Sequence, residues 1–303
     1  MTKSELILAM DEKFPAYTNR EIANKIGCTR RLVRMIRNTK EIYLTRQPKI
    51  LIFDIETAPL EVYVWHLWKN VVTPNMMIKD RSILSWSAKW LFEDKIRGEV
   101  VTPNEAFNRT DESILSGLWG LLNKADIVVT HNGNQFDIKI VNARFALAGL
   151  SPPQPYRPID TLLASRRAFG MMSFKLDDLN SYFGLNMKME HEGMDLWKKC
   201  VNHDKGALAT MLKYNKRDVT ILEELYLRIR PWIKGHPNLG LYIDTDKTVC
   251  TNCGNENLTW AGHYYTPAGR YRSFRCDSCS AIGRSRVSDL DKEARSRLLL
   301  STI

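Results

Sequence analysis

Residues 50–57 read Ile50-Leu51-Ile52-Phe53-Asp54-Ile55-Glu56-Thr57. A short apolar run rich in β-branched residues reads as a buried strand. Side chains alternate across a strand, so Asp54 and Glu56 point to the same face. Burying two carboxylates side by side is unfavourable by several kcal/mol unless cations compensate. Such a pair suggests a bound divalent metal, and oxygen-rich sites suit Mg²⁺ or Mn²⁺. Taken alone, the pair is also compatible with one acid in solvent at a strand edge and the other in a salt bridge.

Downstream, residues 83–91 and 96–101 read as two more strands, and 126–130 as a fourth. Helical patterns occupy 111–124, where Ile114, Leu115, Leu118, Leu121 and Leu122 share a side, then 135–147, the stretch after Asp160, 176–182 and 205–233. Strands followed by alternating helices and strands predict a mixed α/β sheet with helices on its faces. Upstream, 45–49 is a linker, and residues before it read as three short helices. Thr18 to Glu21 has the spacing of a capping box. Ile22, Ala23 and Ile26 form an apolar stripe, Gly27 suits the turn, and Thr29 suits the next N-cap. Arg30, Arg31, Arg34 and Arg37 fall mostly on the opposite face of the last helix. This pattern fits a helix-turn-helix; a plain three-helix bundle with a solvated basic face fits it too.

Two further acids stand at informative places. Asp137 ends His131-Asn132-Gly133-Asn134-Gln135-Phe136-Asp137, where a loop past a strand becomes a helix. Loops above a sheet are where α/β folds build sites, although an Asp there can simply favour a helix start. Tyr214 and Asp218 are four residues apart on the long helix and share one face. A surface Tyr–Asp pair would have the same spacing.

In this order, FDIET (53–57), HNGNQFD (131–137) and YNKRDV (214–219) resemble the three motifs of DnaQ-like 3′–5′ exonucleases. Tyr four residues before the last Asp marks the DEDDy subgroup, which includes proofreading domains of family A and family B DNA polymerases. The resemblance spans about residues 48–230 and includes Leu176–Gly184. It implies an RNase H-like fold and a two-metal phosphodiesterase. Two cations about 4 Å apart can stabilise charge on the attacking and leaving oxygens. By the resemblance, Asp54 bridges two Mg²⁺ or Mn²⁺. Glu56 and Asp218 hold the metal that activates water, and Asp137 holds the second, partly through water. Tyr214 orients the attacking water through its hydroxyl, its ordinary pKa near 10 being too high for a base. Asn132 and Phe136 are expected to position substrate and to pack, and His131 to be structural.

Cys250/Cys253 and Cys276/Cys279 form two C-x-x-C pairs 22 residues apart. In a cytosolic chain such pairs favour metal over disulfide, and four thiolates leave no open position, so a structural Zn²⁺ is expected. The segment resembles a zinc ribbon. Arg270, Arg272 and Arg275, interleaved with Tyr271 and Phe274, suit phosphates and bases or simply clothe a hairpin. Cys28 and Cys200 read as inert small apolar residues.

The formal net charge is +10. Residues 1–49 hold 11 Lys/Arg against 5 Asp/Glu, residues 247–303 hold 9 against 5, and residues 50–246 hold 24 of each. Basic ends on a neutral centre suggest a polyanion held by the flanks and worked on in the middle. No apolar run approaches the ~18–20 residues of a membrane span, and the first residues lack a signal-peptide core, so a cytoplasmic protein is expected; a bacterial or phage-type nucleoid-associated context would suit it. The expected organisation is a helix-turn-helix DNA-binding domain at 1–46, a DnaQ-like exonuclease domain at 47–236, and a four-Cys zinc ribbon with a basic tail at 247–303. Expected partners are nucleic acid, DNA before RNA, and a separate polymerase or replication protein. An RNase H-like endonuclease or transposase-type recombinase and a non-enzymatic DNA-binding regulator are the competing functions. The close Asp-x-Glu on the first strand with Tyr-x-x-x-Asp on a late helix counts against the former, and retention of all four acids against the latter.

Overall fold

The computed structural model describes residues 6–7, 9–10, 13–14, 17–30, 33, 48–66 and 68–300. Its centre is a five-stranded sheet. β1 (Ile50–Thr57) lies between β4 (Ile83–Trp90) and β6 (Ile127–Thr130), with β5 (Arg97–Val100) beyond β4 and β7 (Arg157–Asp160) beyond β6. β1 runs antiparallel to β4 and parallel to β6, so the sheet is mixed, as expected. A separate hairpin, β2 (Glu61–Val62) with β3 (Met77–Lys79), stands between β1 and β4 in sequence.

Alternation along β1 sends Leu51, Phe53 and Ile55 to one face, where Leu115, Leu118, Val141 and Phe145 cover them. Those residues come from α3 (Glu112–Leu122) and α4 (Asp137–Leu147). Ile50 and Ile52 point the other way, into a core with Leu179 of α6 (Leu176–Tyr182) and Val219, Leu222 and Tyr226 of α8 (Lys205–Ile229). Asp54 and Glu56 continue that second face, so the strand's pattern turns its acids toward α8.

α8 is fixed from several directions. Asp204 caps it by accepting the Ala207 N–H at 2.9 Å. Glu223 forms a buried ion pair with Lys89 of β4 and accepts the Phe92 N–H at 2.9 Å. The helix ends at Ile229, four residues short of the sequence expectation, and Arg230–Trp232 form a 3₁₀ turn. Pro231 explains this, because it has no N–H with which to continue the ladder.

Two shorter elements escaped the sequence reading, α2 (Pro103–Asn108) and α7 (Met194–Cys200), while α5 (Thr161–Ala168) is the helix expected after Asp160. β7 was also missed. It is four residues long and contains Pro158, which an edge strand tolerates.

In the N-terminal part, α1 (Asn19–Ile26) carries the expected capping box between Thr18 and Glu21, and Gly27 closes it at φ +68°. Ile7, Ile22, Ala23 and Val33 form a small buried core. Arg30 is exposed, while Arg31, Arg34 and Arg37 lie outside the described residues, as does most of the expected basic helix. Cys28 packs at the edge of this core, and Cys200 is fully buried at the end of α7.

At the C-terminal side, β8 (Leu258–Thr266), β9 (Gly269–Cys276) and β10 (Ile282–Arg284) make a three-stranded antiparallel sheet. A short α9 (Lys292–Ser296) follows. The module is fastened to the end of α8: Arg230 donates to the carbonyl of Asn252, and Asn252 Nδ2 donates back to the Arg230 carbonyl at 2.8 Å. Both residues are buried.

Candidate active site

β1 delivers Asp54 and Glu56, and α8 delivers Tyr214 and Asp218. Carboxylate oxygens of Asp54, Glu56 and Asp218 all lie within 4.8 Å of one another. Asp137, the first residue of α4, sits beside them and accepts the Ile55 N–H through Oδ1 at 3.1 Å. Two strand residues and two helix residues thus converge at the end of β1.

Electrostatics follow from this crowding. Asp54 is pushed well above the carboxylate range by burial, then by the charges of Asp137, Asp218 and Glu56. Burial and Asp218 raise Glu56 to about 8. Asp137 rises to about 7 through burial, against the opposing bond from Ile55. Asp218 is also raised by burial, with Lys188 offsetting part of the effect. A cluster of acids that resist ionisation is one that lacks counter-charge.

Lys188 supplies part of it. Its Nζ contacts Asp218 Oδ2 at 2.5 Å and donates to the Tyr214 hydroxyl at 2.9 Å. Burial works against the Lys188 charge, but Asp218 outweighs it and holds the ammonium above its ordinary value. Burial and then Asp218 raise Tyr214, so its hydroxyl keeps its proton. Asn215, on the same turn of α8, donates from Nδ2 to Asp54 Oδ2 at 2.6 Å. Asp218 Oδ1 is buried and has no hydrogen-bond partner among the described residues. An unsatisfied carboxylate oxygen among raised acids fits a divalent cation with its water.

The loop before Asp137 is built tightly. Asn132 adopts φ +67°, a conformation that Asn accepts more readily than most residues. A Cβ at Gly133 would stand 2.2 Å from Thr130 Oγ1, so no larger residue fits. Asp160, at the end of β7, accepts the N–H groups of Asn132 at 3.0 Å and Asn134 at 3.2 Å. Phe136 packs against the core beneath α4. His131 is set between Thr161 Oγ1 at 2.9 Å and the Phe174 carbonyl at 3.0 Å. Burial lowers its pKa to about 4, so it is neutral and both ring nitrogens serve the fold.

Lys188, Asn215 and Asp160 were missed in the sequence. Lys188 lies in a loop without periodicity. Asn215 carried a usable signal, since it is three residues before Asp218 on one helix. Asp160 stood before a helix start, where its N-capping role hid its grip on the neighbouring loop.

The four cysteines converge as a second candidate metal centre. All four Sγ atoms lie within 4.8 Å, and Cys250–Cys279 and Cys253–Cys276 are each 3.6 Å apart. A tetrahedron with Zn–S bonds of about 2.3 Å has edges of about 3.8 Å, whereas a disulfide would bring sulfurs to about 2.05 Å. The spacing suits a metal. His263 is turned away to Asp289 at 2.9 Å. Arg270 pairs with Asp289 at 3.1 Å, Arg272 lies over the Trp260 ring at 5.1 Å, and Arg275 donates to the Ser280 carbonyl at 3.3 Å.

Residues 90–230 match the RNase_H_2 family model of the RNase H superfamily. The matched stretch contains Asp137, Tyr214 and Asp218; β1 with Asp54 and Glu56 precedes it. Among solved structures, the chain is similar to the family B DNA polymerase from the hyperthermophilic archaeon Pyrobaculum calidifontis, with 16% identity and a TM-score of 0.45. That similarity covers 75% of this chain and 32% of the polymerase, so the chain spans about a third of the polymerase's length. A comparison with curated proteins found no match. The mixed α/β sheet with flanking helices fits an RNase H-like fold, and no helix among the described residues is long and apolar enough to cross a membrane.

Proposed function

We propose that the central domain is a 3′–5′ exonuclease that hydrolyses phosphodiester bonds of nucleic acid, DNA before RNA. The observation that carries this reading is the meeting of Asp54, Glu56 and Asp218 within 4.8 Å, with Asp137 alongside. Direction of cleavage rests on the order and spacing of the three motifs, which resemble those of DnaQ-like exonucleases.

Asp54, Glu56, Asp137 and Asp218 would hold two Mg²⁺ or Mn²⁺. When bound, these ions neutralise the acids, lower the pKa of water and stabilise the charge that develops on the leaving oxygen. The remaining work falls to side chains. Asn215 fixes the rotamer of Asp54. Tyr214, kept protonated, offers its O–H to orient the attacking water. Lys188 places positive charge beside Asp218 and Tyr214, where the pentacoordinate phosphate gathers negative charge. Asp160 holds the backbone of residues 132–134 in the shape that presents Asn132 and Phe136 to a substrate.

Under this reading the basic ends supply affinity. Arg30, Arg31, Arg34 and Arg37 in domain 1–46 and Arg270, Arg272 and Arg275 in domain 247–303 would meet phosphates, and Cys250, Cys253, Cys276 and Cys279 would hold a structural Zn²⁺. A polymerase or replication protein working in the cytoplasm is the fitting partner for such a chain. The decisive assay titrates Mg²⁺ against end-labelled linear DNA, circular DNA and matched RNA. Release of mononucleotides from 3′ ends, with circles intact, is expected. Nicking of circles would transfer the reading to an endonuclease.

A further inference from the structure

Between β1 and β4 the chain leaves the sheet in the β2–β3 hairpin, and this arm is dressed unlike the rest of the surface. Tyr63 is 76% exposed, Trp65 88% and Trp68 82%. Single exposed apolar residues are ordinary, but a cluster of large aromatics on one segment marks an interaction site. β2 starts five residues after Glu56, so the arm leaves the sheet from the end of β1 that carries the acids. Its base is anchored. Tyr63 N–H donates to the Met76 carbonyl at 2.9 Å, and Lys79 Nζ donates to the Phe107 carbonyl at 3.1 Å while lying 3.9 Å over the Phe107 ring.

We propose that Tyr63, Trp65 and Trp68 form a stacking platform for the bases of an unpaired strand whose phosphates enter the Asp54–Glu56–Asp218 site. This rests on the nuclease reading above. Three features favour a nucleic-acid strand over a protein partner. First, the arm follows in sequence directly on β1, which carries Asp54 and Glu56. Second, none of the three rings stacks on another ring among the described residues. Third, residues 57–79 contain a single acid, Glu61, which lies 3.9 Å from both Lys79 and Arg109, while His66, Lys69 and Asn70 sit among the aromatics. Paired bases offer no faces to such rings except at an end, so the platform selects unpaired substrate. Stacking is tolerant of base identity because every base has a π-face.

The test measures binding without cleavage, in Ca²⁺, by anisotropy of labelled oligothymidylate about 10 nucleotides long, a length within one typical site size. A blunt duplex of equal length serves as the comparison. In the full chain, Trp65→Ala with Trp68→Ala is expected to weaken single-strand binding at least tenfold, about 1.4 kcal/mol. Duplex binding should change less than about twofold, under 0.5 kcal/mol. Phe at both positions should restore most of the affinity and Leu should not. Unchanged single-strand affinity, an equal loss on both substrates, or equal rescue by Leu overturns the platform. So does a change in the oligomeric state of the variant, which would assign the arm to a second copy. An unaltered chain that fails to hydrolyse bis(4-nitrophenyl) phosphate with Mn²⁺ would sink the nuclease reading alone, because the binding comparison needs no catalysis.

Discussion

Asn215 Nδ2 donates to Asp54 Oδ2 at 2.6 Å, joining the strand that carries the first two acids to the helix that carries the last. Because Asn215 is fully buried, its amide has no water to turn to, and the bond sets both the rotamer of Asp54 and the distance between β1 and α8.

Asn215→Ala should therefore act on metal affinity more than on folding. Groups that orient a metal-binding carboxylate typically contribute 10–100-fold in affinity or activity. Mn²⁺ affinity measured by calorimetry should fall within that range. A variant that binds Mn²⁺ as tightly as the parent chain would remove Asn215 from the site.

Asp54→Asn should separate stability from activity. It retains the shape of the side chain and an acceptor for Asn215, yet removes a carboxyl that burial and the neighbouring acids keep from ionising. Cleavage should drop by more than about a thousandfold, some 4 kcal/mol of barrier. The metal-free variant should melt higher than the parent by roughly 2–4 °C per kcal/mol of repulsion relieved. Full cleavage by the purified variant, or a lower melting temperature without metal, would contradict the geometry.

The pH dependence has a definite sign. Glu56 and Asp137 are raised to about 8 and about 7, chiefly by burial. The folded metal-free chain holds these protons more tightly than the unfolded chain does. Its stability is thus greatest below the ordinary carboxylate pKa and declines as pH rises through about 7 to 8, by up to about 1.4 kcal/mol per pH unit for each proton involved. Divalent metal must displace the same protons, so its affinity should climb over that window and level off above it. Thermal melts from pH 5 to 9 should fall with rising pH without Mg²⁺ and stay nearly level with saturating Mg²⁺, because the rising metal affinity offsets the loss. Parallel curves would mean that the acids are already ionised.

Zinc removal should be felt beyond the ribbon. One Zn²⁺ per chain is expected by elemental analysis, given four Sγ atoms within 4.8 Å. Asn252, whose N–H points at Cys250 Sγ at 3.4 Å, is also the residue that meets Arg230. Chelation should increase hydrogen exchange in the last turns of α8 as well as in β8 and β9. Protection unchanged in α8 would show that the two are independent.

The basic ends should set the salt dependence of binding. Replacing Arg270, Arg272 and Arg275 with Ala should flatten the slope of log K against log salt by roughly 0.9 for each duplex phosphate no longer neutralised. An unchanged slope would leave these arginines to their local partners, Asp289, Trp260 and Ser280.

Much of the fold was legible because its strands and helices carry strong periodic signals. Residues 50–57 showed both a buried strand and its two acids, and the helix over α8 was clear apart from its end at Pro231. The capping box at Thr18 announced α1 outright. What escaped depends on tertiary contacts. Pro158 disguised an edge strand, and Lys188 comes to Asp218 from a loop whose sequence gives no reason to expect it there. The long-range pairs Asn215–Asp54 and Glu223–Lys89 join residues more than a hundred positions apart, and no local pattern encodes them. The aromatic arm went unread in the sequence, because the exposure of Tyr63, Trp65 and Trp68 is visible only in the structure.

Arg230 and Asn252 have a consequence for how this chain can be rearranged. A guanidinium with one buried nitrogen already unpartnered depends on the knuckle of another module for its remaining bond. Cutting the chain before residue 247 would remove both hydrogen bonds that Asn252 makes with Arg230 and open the end of α8 to water, a loss of about 1 kcal/mol for each bond. The ribbon is therefore not a portable tag that recombination could hand from one nuclease to another. A transplant would have to carry its socket, the last turn of α8, and a chain trimmed at residue 246 should fray first at that turn.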